Sequence, residues 1–214
     1  MKISASILSI KEDIKSKVKE LDNLNVDYMH LDIMDGKFVS NKTRSFKEIY
    51  DDIKDISKPL DVHLMVSDIK DYIDKYALLN PEFITFHIEA TDNPIDIINY
   101  IKAKNIKVGI SIKPNTDFED LGPYLNDIDL ILVMSVEPGR GGQKFIDEIE
   151  EKIDELRLLK NAYNYPYLIE VDGGINDKTV YKCLNADILV VGSYITNSDN
   201  YKEKINIIKE KIRK

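Results

Sequence analysis

The chain has 214 residues, 43% of them hydrophobic and 32% charged, a balance that fits a globular domain and excludes a disordered tail, a collagen-like repeat or a disulfide scaffold. Its 30 Lys and Arg against 38 Asp and Glu give a formal net charge of −8, with no basic block, which argues against nucleic acid as a partner. The single cysteine, Cys183, excludes an internal disulfide and a thiolate zinc cluster. No apolar stretch approaches the roughly 20 residues that span a bilayer, and Met1-Lys2-Ile3-Ser4 begins no signal-peptide hydrophobic region, so the expectation is a cytoplasmic protein with no membrane partner.

Short apolar runs alternate with polar segments of helical period along the whole chain. The first run, Ile3–Leu8, precedes a stripe at Ile14, Val18, Leu21 and Leu24. The next runs are Tyr28–Ile33, Leu60–Met65, Phe83–Phe86, Val108–Ile112 and Leu130–Met134. A second clear stripe follows at Ile149, Ile153, Leu156 and Leu159, and then come the runs Leu168–Val171 and Ile188–Val191. The runs are rich in Ile, Val, Leu and Phe, as strands buried on both faces are. The stripes read as amphipathic helices that cover a sheet. Strict alternation implies parallel strands with helical crossovers. Eight strands and roughly eight helices point to one closed (β/α)8 TIM barrel over residues 1–214, with a doubly wound open sheet as the alternative.

In such a barrel the chemistry sits at the C-terminal ends of the strands, and the rare polar residues of this chain fall there. The second strand ends His30-Leu-Asp32-Ile-Met34, the third Asp61-Val-His63-Leu-Met65, the fourth Thr85-Phe-His87-Ile-Glu89 and the seventh Glu170-Val-Asp172-Gly173-Gly174. All three histidines of the chain are in this set. Strand side chains alternate faces, so His30 and Asp32 share one face, as do Asp61 and His63. Burying several ionisable groups is costly unless they pair or bind metal. Imidazoles with carboxylates suit a divalent ion, zinc foremost, with iron, manganese or cobalt as alternatives. Asp61 and Glu170, one inward step below His63 and Asp172, are candidates to orient a ligand from behind.

Glycine-rich turns follow the sixth, seventh and eighth strands, at Pro138–Gln143, Gly173-Gly174 and Gly192-Ser193. Glycine lets backbone N–H groups approach an anion, and the last two loops are the usual phosphate grip of this barrel. A phosphorylated small molecule is therefore the expected ligand. Met34, Met65 and Met134 each end a strand and are candidates for an apolar cap over the site.

Together these segments resemble the ribulose-phosphate 3-epimerase family. The matching stretches are Ser6-Ile-Leu-Ser9, His30–Gly36, Asp61–Val66, Phe86–Ala90, Val133–Gln143, Glu170–Ile175 and Gly192-Ser193, in the family's order over nearly the whole chain. The resemblance implies interconversion of D-ribulose 5-phosphate and D-xylulose 5-phosphate, a step of the pentose phosphate pathway. It implies His30, Asp32, His63 and Asp172 as ligands of one divalent ion per subunit, with Asp32 and Asp172 also the two acid/base groups. Epimerisation at C3 removes a proton beside a carbonyl and returns one on the opposite face, through an enediolate whose charge a divalent ion would stabilise. Ser9 and His63 match substrate contacts, Gly139, Arg140, Gly141 and Gly142 the loop that closes on the substrate, and Gly173, Gly174, Gly192 and Ser193 the phosphate grip, beside Asp172.

Three positions depart from the family pattern: Ala5 stands for Pro, Ser40 stands in a Val-Pro-Asn turn, and Arg140 stands for Phe. Apolar residues on the outer helices suggest a homo-oligomer. The competing readings are an epimerase acting on D-allulose 6-phosphate and a non-catalytic phosphosugar-binding barrel. An aldose–ketose isomerase needs only one base on one face, so the two aspartates argue against it.

Overall fold

The computed structural model describes residues 1–213; Lys214, the last residue of the expected barrel, lies outside the described residues. Eight parallel strands follow one another around a closed ring: β1 (Lys2–Ser6), β2 (Tyr28–Met34), β3 (Leu60–Met65), β4 (Phe83–His87), β5 (Lys107–Ile112), β6 (Leu130–Met134), β7 (Leu168–Asp172) and β8 (Ile188–Val191). Residues Lys2 to Ala5 pair with Ile188 to Val191. That closure excludes the open-sheet alternative. β1 ends at Ser6 rather than Leu8, because the Ser6 hydroxyl turns back to accept the Leu8 N–H at 3.3 Å and bends the chain out of the ladder.

The helices are α1 (Ile14–Asp22), α2 (Phe46–Ile53), α3 (Ile69–Ala77), α4 (Pro94–Lys102), α5 (Ile149–Tyr163), α6 (Ser193–Thr196) and α7 (Tyr201–Lys211). The expected helices between β5 and β6 and between β7 and β8 are instead 3-10 turns, Phe118–Tyr124 and Val180–Cys183. Gly122 and Pro123 sit inside the first of these, and both disfavour an α-helix interior. Elsewhere local chemistry sets the helix ends. Ser45 and Glu48 form a reciprocal capping box at the start of α2. Asn164 closes α5 in the left-handed conformation at φ 55°, which asparagine tolerates better than most residues. No helix among the described residues is long and apolar enough to cross a membrane.

The strands separate two cores by the parity of their side chains. Outward-facing Ile3, Leu31, Val62, Leu64, Ile131 and Val171 pack under the helices, where Val18, Leu21, Ile153 and Leu156 meet them. Inward-facing Tyr28, Phe83, Leu130 and Ile188 plug the N-terminal end of the barrel, with Tyr28 and Phe83 edge to face at 5.7 Å. Above that plug the inward positions turn polar and remain buried: Ser4, His30, Asp61, Thr85 and Glu170, then Ser6, Asp32, His63 and His87.

One device recurs at the N-terminal rim. Asp27, Asp129 and Asp187 each precede a strand and clasp a residue of a neighbouring one. Their carboxylates accept the N–H of Ile3 (2.9 Å), Val108 (2.8 Å) and Ile169 (2.9 Å). Their own N–H groups donate to the carbonyls of those same three residues. Each clasp satisfies a strand-end N–H that the ladder leaves unpaired.

Candidate active site

The register of the ring assembles the C-terminal mouth. His30 lies beside Asp61 and Asp32 beside His63 on β2 and β3, while Asp172 of β7 lies beside Met134 of β6. One donor atom from each of His30, Asp32, His63 and Asp172 lies within 4.8 Å of every other. His30 Nε2 stands 3.5 Å from Asp32 Oδ1. His63 Nδ1 stands 3.3 Å from the same oxygen and 4.0 Å from Asp172 Oδ2.

Hydrogen bonding fixes which atoms of this group are spare. Asp61 Oδ2 is 2.6 Å from His30 Nδ1 and also accepts from the Ser4 hydroxyl at 2.7 Å. A carboxylate only accepts, so Nδ1 of His30 donates and Nε2 is turned toward Asp32. That Nε2 is buried and has no hydrogen-bond partner. A buried polar atom without a partner costs about 1–3 kcal/mol. Here it faces two carboxylates and a second imidazole, a donor set of borderline hardness that fits a divalent cation. A proton can answer the same need: although burial opposes it, Asp61 and Asp32 raise the His30 imidazole well above its ordinary range.

The carboxyls differ in their surroundings. Burial works against the charge of Asp32, yet the imidazoles of His30 and His63 hold it well below the usual carboxylate range, and the Ser6 hydroxyl donates to it at 2.8 Å. Asp172 lacks such donors; burial, reinforced by the Asp32 charge, pushes it up to about 7. A bound cation acts in the opposite sense on both. Behind His30, no N–H or O–H reaches either oxygen of Glu170. Burial and the neighbouring Asp61 carboxylate raise Glu170 well above the usual carboxylate range.

The expected substrate residues gather at this mouth. A cavity of about 50 Å³ is lined by Ser9, Asp32, Asp172, Gly173 and Ser193, with Met65 and Met134 on its walls and Gly139–Gly142 over it. Met34 is buried but faces an adjoining cleft of about 530 Å³ between the β1 and β2 loops. Gly174 and Ser193 meet Gly142 around an outer hollow of about 340 Å³. Gly173 (φ 125°) and Gly174 (φ 63°) take backbone angles that favour glycine; a Cβ on Gly174 would sit 2.4 Å from the Phe145 nitrogen. The loop over the mouth is pinned: Asn41 donates to the Gly139 carbonyl at 2.7 Å, and the Gln143 amide bridges the Glu137 and Arg140 carbonyls. Arg140 itself is exposed.

Four contributors to the site had no role from sequence: Ser4, Ser6, His87 and Glu89. The serines sit at inward parity on β1, which was a usable signal. His87 Nε2 lies 2.9 Å from His63 Nε2, and His87 Nδ1 lies 3.1 Å from Glu89 Oε2. Burial lowers His87 to about 4. Glu89, despite burial, is held down at about 2 by hydrogen bonds from His87, the Lys113 N–H and the Thr116 hydroxyl.

Residues 2–196 match the model of the ribulose-phosphate 3 epimerase family. A ribulose-phosphate 3-epimerase from Helicobacter pylori (strain J99) is 39% identical over 206 residues, 94% of this chain and 94% of its own. The cytoplasmic isoform of ribulose-phosphate 3-epimerase from Oryza sativa is 39% identical over 99% of this chain and 94% of its own. Among solved structures, 3-hexulose-6-phosphate synthase from Salmonella typhimurium superposes with a TM-score of 0.66 at 17% identity, covering 100% of this chain and 99% of its own. At that identity it shares the barrel fold.

Proposed function

The chain belongs to the ribulose-phosphate 3-epimerase family and is an isomerase, and from that premise we propose that it interconverts D-ribulose 5-phosphate and D-xylulose 5-phosphate in the pentose phosphate pathway. The observation that carries this reading is the convergence of two imidazoles and two carboxylates within 4.8 Å, with His30 Nε2 left without a partner.

In this reading His30, Asp32, His63 and Asp172 hold one divalent ion, zinc first. When bound, the ion supplies Lewis acidity toward the ketose oxygens. Asp32 and Asp172 stand on β2 and β7, three places apart around the ring, so their carboxylates approach the sugar from different walls. One takes the C3 proton and leaves an enediolate; the other returns a proton to the opposite face. Neither Asp32 nor Asp172 has a lysine or arginine partner among the described ion pairs, which leaves both free to move a proton. Met65 and Met134 exclude water and so strengthen every charge interaction inside. Gly173, Gly174, Gly192 and Ser193 present N–H groups to the substrate phosphate, Ser9 and His63 contact the sugar, and Gly139–Gly142 form the closing loop. The cavity of about 50 Å³ shares Ser9, Asp32 and Gly139–Gly141 with the adjoining cleft of about 530 Å³, and the two together have the size of a small-ligand pocket.

We also propose a homo-oligomer in the cytoplasm. Leu158 of α5 and Leu184 beyond the adjoining 3-10 turn are 68% and 51% exposed, which supports a protein-covered face there. The test of the function is turnover of D-ribulose 5-phosphate in D2O followed by NMR. Deuterium enters at C3 as xylulose 5-phosphate appears. Turnover without deuterium at C3, or faster turnover of D-allulose 6-phosphate run alongside, contradicts the reading.

A further inference from the structure

His87 is buried and Glu89 stands beside it at the exposed end of β4; both lie outside the donor set, and the chemistry above gives them no task. Their geometry does. The Glu89 side chain leaves β4 just past the strand and is fixed from the next loop: its Oε1 accepts the Lys113 N–H at 2.8 Å and the Thr116 hydroxyl. That loop is held in turn by Lys152 of α5, which donates to the carbonyls of Pro114 (2.8 Å) and Thr116 (2.6 Å). The other oxygen, Oε2, faces His87 Nδ1 at 3.1 Å, while Phe38 packs against the His87 ring at a tilt, with centroids 4.9 Å apart.

A carboxylate can only accept, so His87 Nδ1 carries the proton. A neutral imidazole has one N–H, so His87 Nε2 is then a bare acceptor. It lies 2.9 Å from His63 Nε2, which must donate. A neutral His63 with its proton on Nε2 then has a lone pair on Nδ1, which lies 3.3 Å from Asp32 Oδ1; two acceptors that close call for a cation, where without one they would call for a proton on Nδ1. We infer that Glu89 and His87 are positioning residues that set the tautomer of His63 and aim its Nδ1 lone pair at the cation site. The inference rests on the proposed reading of His63 as a metal ligand. It also divides the site into two arms: Asp61 orders His30 directly, while Glu89 orders His63 through a second ring. Outer partners of this kind change metal affinity by about 10–100-fold when removed.

The isosteric substitution Glu89→Gln tests this sharply. Its one carbonyl oxygen is claimed by the Lys113 N–H, so its NH2 group faces His87 Nδ1. His87 then moves its proton to Nε2, and His63 is driven to protonate Nδ1, where the proton competes with metal. The measurements are zinc affinity after chelation, by competition with a chromophoric chelator, and 15N NMR of labelled histidines in the zinc-loaded wild type and in chelated Glu89→Gln. Wild type is expected to show His87 protonated on Nδ1 and His63 on Nε2. Glu89→Gln is expected to bind zinc about 10–100-fold more weakly with the His87 proton moved to Nε2, although its shape is unchanged. His87→Phe, which removes the relay ring, is expected to weaken zinc binding by a similar factor. Zinc affinity in Glu89→Gln within about threefold of wild type, or a wild-type His87 protonated on Nε2, overturns the relay while leaving the metal reading intact. Wild-type protein that takes up no zinc overturns the metal reading itself, and the relay with it.

Discussion

At the N-terminal rim of the barrel Asp27, Asp129 and Asp187 turn their carboxylates toward backbone N–H groups, whereas at the C-terminal mouth Asp32, Asp61 and Asp172 face imidazoles and one another. The side chain is the same; the partners differ. Backbone donors come with the ladder and cannot leave, so the rim aspartates are fixtures of the fold. Imidazoles can exchange a proton for a cation, so the mouth aspartates keep a capacity for chemistry. Asp61 is intermediate: it holds His30 as rigidly as a rim aspartate holds a strand, but the group it holds belongs to the site.

The sharpest break of this comparison is Asp172→Asn. Turnover is expected to fall by about 10²–10⁴, read as kcat under saturating substrate. The thermal midpoint of the chelated protein should stay level or rise, because the change removes a carboxyl that burial and Asp32 already disfavour in its charged form. Loss of folding together with activity would place Asp172 with the rim aspartates.

The rim gives the opposite pattern. Asp187 receives the Ile169 N–H and the guanidinium of Arg157 at 2.6 Å. Asp187→Ala is expected to cost about 1.5–3 kcal/mol, the range for hydrogen bonds to charged groups, measured by urea unfolding, with turnover per folded molecule unchanged. Acid sharpens the point. Burial opposes the charge of Asp187, but Arg157 and the Ile169 N–H hold its carboxyl below the ordinary value. The unfolded chain therefore binds this proton more readily, and the stabilisation is complete above roughly pH 4 and lost as pH falls through the folded value. The stability gap between wild type and Asp187→Ala should be full at pH 6 and narrow by pH 3; a constant gap would remove the carboxylate's charge from the account.

The smallest effect concerns the loop. If exposed Arg140 touches the substrate phosphate, Arg140→Phe raises KM by about two- to fivefold, the worth of a solvent-exposed ion contact, at constant kcat. An unchanged KM would leave Arg140 in solvent.

Much of this was legible in the sequence because burial on both faces writes strands as apolar runs. Leu60–Met65, Leu130–Met134 and Ile188–Val191 are strands with the bounds expected of them. His30, Asp32, His63 and Asp172 stood out as polar residues at strand ends, and inward parity brought them together. The crossover through Gly122 and Pro123 misled, since its apolar spacing suits a helix that those two residues disfavour. Ser4, Ser6 and the rim aspartates went unread because their partners lie on neighbouring strands, and the register that matches them is set by the whole ring. His87 and Glu89 were visible, but only coordinates reveal that His87 meets His63 through Nε2.

The most direct test of the central claim is elemental analysis of the purified protein coupled to the epimerase assay before and after chelation. One divalent ion per chain, activity lost with the ion and regained on its return, is the predicted result. Full activity in protein from which the ion has been stripped would contradict it.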